Sequence, residues 1–210
     1  PGLFFASAER GHKKSAEGRL VVYPGAAEFE GRTYPPLPHA QEEADYVAQL
    51  QSGSMYLSEE EVTADELSRR LPHASLFHFA GHGVSRERGG ELLLSGEDQV
   101  LSASTVRRMD LSGMDLVVLS ACSTADADLD IARSPNGLVQ AFLSAGTKQV
   151  VASRWDVDSK ESLEFMESFA SEFVGGKSGT QAMRTARDKV RREAGHPYYW
   201  AAFDLFGNLN

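Results

Sequence analysis

Short runs rich in β-branched and apolar residues alternate along this chain with longer stretches of helical periodicity, and this alternation constrains the fold more than any other feature. It predicts an α/β layer architecture built on a mostly parallel central sheet. Six segments read as strands: Arg19–Tyr23, Ser54–Leu57, Leu76–Ala80, Asp115–Ala121, Lys148–Ser153 and Ala202–Phe206. Glu91–Ser102, with Gly96-Glu-Asp98 at its middle, reads as a small hairpin inserted between two sheet strands.

The helices between them carry their own end signals. Thr63-Ala-Asp-Glu66 is a capping-box pattern opening a helix that reaches about Leu71. Ser134-Pro135 precedes an apolar face of Leu138, Val139, Phe142 and Leu143, and Gly146 permits the left-handed exit. Asp158 and Glu161 form a further capping pair before the stripe Leu163, Met166, Phe169 and Phe173, which stops at Gly175-Gly176. A last helix starts at Thr180 and ends at Gly195 and Pro197.

A chain of 210 residues is long enough for one complete core, and neither an internal repeat nor a Pro-, Gly- or Ser-rich linker divides it. The expected organisation is a loose lead-in over residues 1–18 and one domain over 19–210. Pro1 in place of methionine suggests a processed product or a piece of a longer chain. Its longest apolar runs, Leu116–Leu119 and Val150–Ala152, fall far short of the ~20 residues of a membrane span. The net charge of −9 leaves no strongly basic stretch, so direct nucleic-acid binding is not expected. Arg184, Arg187, Lys189, Arg191 and Arg192 are interleaved with Asp188 and Glu193 and read as a solvated helix face. The single cysteine, Cys122, excludes an intramolecular disulfide and a multi-cysteine metal site, and fits a reducing, cytoplasmic setting.

Two polar residues flanked by small ones directly follow predicted strands: His82 in Phe79-Ala-Gly-His-Gly83, and Cys122 in Leu119-Ser-Ala-Cys-Ser123. Ligand sites of doubly wound sheets form at the carboxyl ends of strands, where both would stand, and neighbouring parallel strands lie only ~4.8 Å apart. A thiol beside an imidazole is a nucleophile with its base. Gly83 leaves room for a substrate, and its amide and that of Cys122 are candidate oxyanion donors. The pattern suits acyl transfer.

Five ordered blocks carry a resemblance: His78-Phe-Ala-Gly-His-Gly83, Leu116-Val-Val-Leu-Ser-Ala-Cys-Ser-Thr124, Gly137-Leu-Val-Gln-Ala-Phe-Leu-Ser-Ala-Gly146, Val150-Val-Ala-Ser-Arg-Trp-Asp-Val-Asp158 and His196-Pro-Tyr-Tyr-Trp-Ala-Ala-Phe203. Together they resemble the CHAT domains, bacterial relatives of caspases and separases, from about Leu20 to Gly207. The resemblance implies a caspase-like three-layer α/β/α sandwich and a cysteine endopeptidase with His82 and Cys122 at the dyad positions. It also implies a protein substrate, activation by a partner or by an N-terminal helical-repeat or sensor domain, and a role in bacterial defence or regulated proteolysis. No metal or organic cofactor is implied for catalysis. Ser123 stands where many members carry an acidic residue, and Arg154 and Asp156 replace an apolar residue and a proline, which leaves specificity open.

Asp156 and Asp158 follow the next strand and are candidates for a substrate pocket favouring Lys or Arg; Asp158 reads equally as a helix cap. Trp155 either walls the same pocket or fills core. His78 lies within a strand and reads as structural. The acidic segment Ser123–Arg133 is expected to form a loop that gates the site. Three motifs fail on spacing: Gly176-Lys177-Ser178 lacks the earlier glycine of a phosphate loop, Asp126, Asp128 and Asp130 meet Ile131 where a calcium loop needs glycine, and no dinucleotide fingerprint follows the first strand. The rival readings are a catalytically silent caspase-like interaction module and a nucleotide- or flavin-binding signalling domain.

Overall fold

Side-chain alternation along the strands sorts the core into the two faces of one sheet. The structure, a computed structural model, describes residues 18–86, 89–123, 137–155 and 160–207, with the side chains at 85, 86, 89, 122 and 123 outside the description. In chain order the elements are β1 (Arg19–Tyr23), β2 (Ala27–Phe29), β3 (Arg32–Tyr34), α1 (Ala40–Gln49), β4 (Met55–Ser58), α2 (Ala64–Arg70), β5 (Leu76–Arg86), β6 (Gly89–Leu93), β7 (Val100–Ser102) and α3 (Ala103–Val106). They continue with β8 (Leu116–Ser123), α4 (Leu138–Ala145), β9 (Gln149–Ser153), α5 (Lys160–Val174), α6 (Gly179–Ala194), α7 (Pro197–Trp200) and β10 (Phe203–Gly207).

The main sheet has the order β10-β9-β8-β5-β1-β4, parallel from β4 to β9 and antiparallel at β10. The distal part of β5 also pairs antiparallel with β6, which pairs with β7, so the inserted hairpin extends β5; β2 and β3 form a separate hairpin. Phe77 and Phe79 of β5 join Leu20, Val22, Val117, Leu119 and Val150 under α2, α3 and α4. One step along the strands, Leu76, Leu116, Val118 and Val151 meet α5 and α6, and Val21, Tyr23 and Ala80 meet α1. The result is the expected three-layer α/β/α sandwich. Phe77, Phe79 and Phe142 are fully buried in it, each contributing on the order of 2–3 kcal/mol.

Several boundaries differ from the sequence reading for physical reasons. Strand β5 runs on to Arg86 and β8 to Ser123, so His82 and Cys122 lie within strands rather than in loops beyond them. Gly81 has the look of turn chemistry, but it serves packing: a Cβ there would stand 3.0 Å from Pro24 Cδ and 3.1 Å from the Phe79 ring. Thr63 caps α2 by accepting from the Glu66 amide at 3.2 Å, whereas the Glu66 carboxylate pairs with Arg69 and Arg70 instead of closing a capping box. Helix α6 begins under a capping box of Ser178 and Gln181, ahead of Thr180. Helix α4 starts at Leu138 with Gly137 as its cap, and Gly146 ends it with φ 113° as its position implied. Neither α1 nor the β2–β3 hairpin was expected. The lead-in up to residue 17, Ser134, Pro135 and most of the acidic segment lie outside the described residues. Among the described residues no helix is long and apolar enough to cross a membrane.

Candidate active site

Strands β5 and β8 pair in parallel over eight rungs, and the seventh sets His82 opposite Cys122. Adjacent strands bring those two backbones to within ~5 Å although they stand forty positions apart in sequence. Gly83 and Ser123 form the last rung, and Gly83 also faces Leu92 of β6. On the far side of β8, the Ser153 hydroxyl at the end of β9 donates to the Ala121 carbonyl at 3.0 Å, fixing the strand one residue before Cys122.

The His82 ring is buried, 6% exposed, and one of its nitrogens is committed. Nε2 lies 2.6 Å from the carbonyl oxygen of Pro35. A carbonyl can only accept, so Nε2 carries the proton and the neutral ring keeps its lone pair on Nδ1. Nδ1 is buried and makes no hydrogen bond among the described residues. Tyr34 at the end of β3 packs against the imidazole, with centroids 5.4 Å apart, and Arg32 lies over the Tyr34 ring at 5.0 Å. Thus a short hairpin and the proline-rich turn after it hold the imidazole in one tautomer and leave a base lone pair on its other nitrogen.

Below this pair the same strands carry a buried polar group that sequence reasoning missed. Glu43 of α1 accepts from His78 Nε2 at 2.6 Å and from the Ser120 hydroxyl at 2.9 Å. His78 is thus a core histidine with a partner, as its place in the strand suggested. The signal that would have revealed α1 is the Ala40, Ala44, Val47 spacing, all three buried. Glu43 falls on that same i, i+3, i+4, i+7 face and Glu42 does not, so the spacing also sets Glu43 apart from its neighbour.

The substrate side, as the sequence suggested it, is described only to Trp155; Asp156 and Asp158 lie outside the described residues. Trp155 donates from Nε1 to the Tyr198 carbonyl at 2.9 Å and stacks on the Tyr198 ring at 6.1 Å, while also packing at the margin of the α5–α6 core. Arg154 is engaged by Asp204 at 2.6 Å, and Asp204 also receives Arg187 at 2.6 Å.

Beside the Pro35 turn opens a cavity of about 740 Å³ whose walls include Tyr23, Leu37, His39, Glu42, Asp45 and Glu167. Burial pushes the Glu167 carboxyl above the ordinary glutamate range; Lys189 opposes the shift, and Glu42, Glu164 and Glu43 add to it.

A mostly parallel sheet sandwiched by helices defines a caspase-like α/β architecture, and solved structures share it. Arg-specific cysteine proteinase gingipain R superposes with TM-score 0.62 at 14% identity, over 91% of this chain and 46% of that one. Separase of Saccharomyces cerevisiae, in its complex with securin, gives TM-score 0.58 at 17% identity, over 92% of this chain and 12% of that one. At such identities the likeness speaks to the fold. The chain belongs to the CHAT domain family, which matches residues 5–208. A human relative, tetratricopeptide repeat protein 28, is 30% identical over 114 residues, 53% of this chain and 4% of that protein.

Proposed function

We propose that this domain is a cysteine endopeptidase in which His82 is the general base and Cys122 the nucleophile. The observation that carries the reading is the register of His82 with Cys122, together with an imidazole whose Nε2 proton is held by Pro35 and whose Nδ1 keeps its lone pair. In the first step the Cys122 thiol proton passes to Nδ1 and the thiolate attacks the scissile carbonyl. The amides of Gly83 and Cys122, near the end of the β5–β8 ladder, are the proposed donors to the resulting oxyanion. The imidazolium then protonates the leaving amine as the C–N bond breaks, and a water deprotonated by Nδ1 hydrolyses the thioester.

Trp155, Asp156 and Asp158 are the proposed substrate contacts, with the two carboxylates favouring a basic residue before the cut bond. The substrate is a protein segment added along the exposed strand ends. Burial of the His82 ring supports a regulated enzyme: a path for substrate to Nδ1 has to open on the side away from Pro35, which keeps its hold on Nε2. A partner or an attached helical-repeat or sensor domain would supply that opening, in keeping with a relative that is named a tetratricopeptide repeat protein. The proposed setting is regulated proteolysis in bacterial defence, in the cytoplasm.

A peptide-library cleavage profile of the wild-type protein and of Cys122→Ala tests the reading. Cleavage present in the first and absent in the second is expected. Equal cleavage, or no cleavage with any activating extract, would favour a silent interaction module.

A further inference from the structure

We infer that Glu43 is a positioning residue for the base: its buried carboxylate fixes the carbonyl of Pro35 against His82. The inference rests on the peptidase reading for its kinetic consequence, but its structural content stands apart from it.

Glu43 is 4% exposed, on the first turn of a helix that otherwise buries Ala40, Ala44 and Val47. An apolar side chain would fill such a position without desolvating a carboxylate, so the acid has to be held by donors. It is, and both donors come from the strands that carry the proposed dyad. Oε1 accepts from His78, four residues before His82 on β5, and Oε2 accepts from Ser120, two residues before Cys122 on β8. The one side chain therefore ties α1 to both central strands at once.

The main chain of the same residue holds the turn. The Glu43 amide donates to the His39 carbonyl at 2.9 Å, and Ala40 N donates to Leu37 O at 3.3 Å. Only residues 36–39 separate the Pro35 carbonyl from the helix, and Pro35, Pro36 and Pro38 each have φ locked by the ring. So stiff a connection transmits any shift of α1 to the carbonyl that grips His82 Nε2. Removing the carboxylate lets α1 move away from β5 and β8, and the base loses its tautomer lock.

Glutamine reproduces this grip. Its amide oxygen accepts from His78 and its NH₂ donates to the Ser120 hydroxyl, which accepts as well as it donates. Leucine retains the volume and has neither group. Val47→Ala, a core truncation on the same helix away from the strands' polar groups, shows what a loss of packing alone does.

The test records the ¹⁵N-edited NMR signal and water-exchange rate of the His82 Nε2–H, thermal stability, and steady-state peptidase kinetics. Glu43→Leu and, more mildly, Ser120→Ala are expected to shift the signal. In Glu43→Leu its exchange should speed up by at least about tenfold, and kcat should fall roughly 10–100-fold with KM within about twofold, the size expected of a misplacement near 1 Å. Glu43→Gln restores both readouts to within about threefold of wild type, and Val47→Ala lowers the melting temperature without moving either. An unchanged His82 signal in Glu43→Leu, or in Ser120→Ala if the leucine variant does not fold, overturns the inference. So does an equal change in Val47→Ala. If wild type shows no cleavage dependent on Cys122, the peptidase reading fails and the NMR arm alone decides the role of Glu43.

Discussion

The two sides of the candidate site are built from different materials. On the base side, His82, His78 and Glu43 are buried, and each is held at hydrogen-bond distance by a group on a neighbouring element. On the substrate side, Arg154 has a side chain 40% exposed and Tyr198 is 44% exposed, and both are joined to neighbours by surface pairs. The base side is continuous with the core, so changes there should be felt in kcat and in stability together. The substrate side is a rim, where exposed ion pairs contribute little to folding. On the proposed reading, one fold keeps the geometry around His82 fixed while its rim is retuned for another substrate.

The largest effect expected on this contrast comes from the base itself. His82→Ala should lower kcat/KM for an activated peptide by about 10²–10⁴-fold, measured with circular dichroism to show that the fold persists. Phe79→Ala, three residues before His82 on the same strand and fully buried, should cost about 3–5 kcal/mol in urea denaturation. Gly207→Ala probes the β10 edge of the sheet, at the end of β9 away from Trp155. With φ 108° and the Lys148 carbonyl where a Cβ would stand, it should cost about 1–3 kcal/mol and fray β10 from β9. Arg154→Ala should cost under about 1 kcal/mol yet change KM across a peptide series, since its pair with Asp204 lies at the rim. A kcal/mol loss for Arg154→Ala as large as that for Phe79→Ala would erase the contrast.

The smallest expected effect concerns pH. The Glu167 carboxyl is raised in the folded protein chiefly by burial, so the folded state binds its proton more tightly than the unfolded chain does. Its contribution to stability is consequently greatest below the ordinary glutamate range and is lost as pH rises through the folded value. Glu167→Gln should raise the melting temperature slightly at pH 7 and leave it unchanged near pH 4, as read by differential scanning calorimetry.

Much of this contrast is visible in the sequence, and the part that is not has a physical cause. Strand β1 has the bounds its Leu-Val-Val run implies, and β9 and β10 fall within a residue of theirs. The end of β5 is hard to read because Gly81 and Gly83 carry the same signal for a turn as for a close approach, and only the packing of Phe79 and Pro24 decides between them. Helix α1 is hidden by the three prolines before it. Glu43 shares the spacing of Ala40, Ala44 and Val47, but an acidic residue in a first helical turn is ordinarily solvated and stabilised by the helix dipole, so its residue type argues against the burial that its position implies. Its burial depends on His78 and Ser120, thirty-five and seventy-seven residues away. Pro35 acts through its carbonyl, a group every residue has, so no residue type announces it.

The central claim is that the imidazole of His82 makes the sulfur of Cys122 a nucleophile, and it is tested most directly by the rate at which an electrophilic peptide alkylates that sulfur. Mass spectrometry of the modified protein should map the label to residue 122, with a rate at neutral pH at least about a hundredfold higher in wild type than in His82→Ala. Equal rates in the two proteins would mean that the histidine does nothing for the thiol, and the proposed dyad would be contradicted.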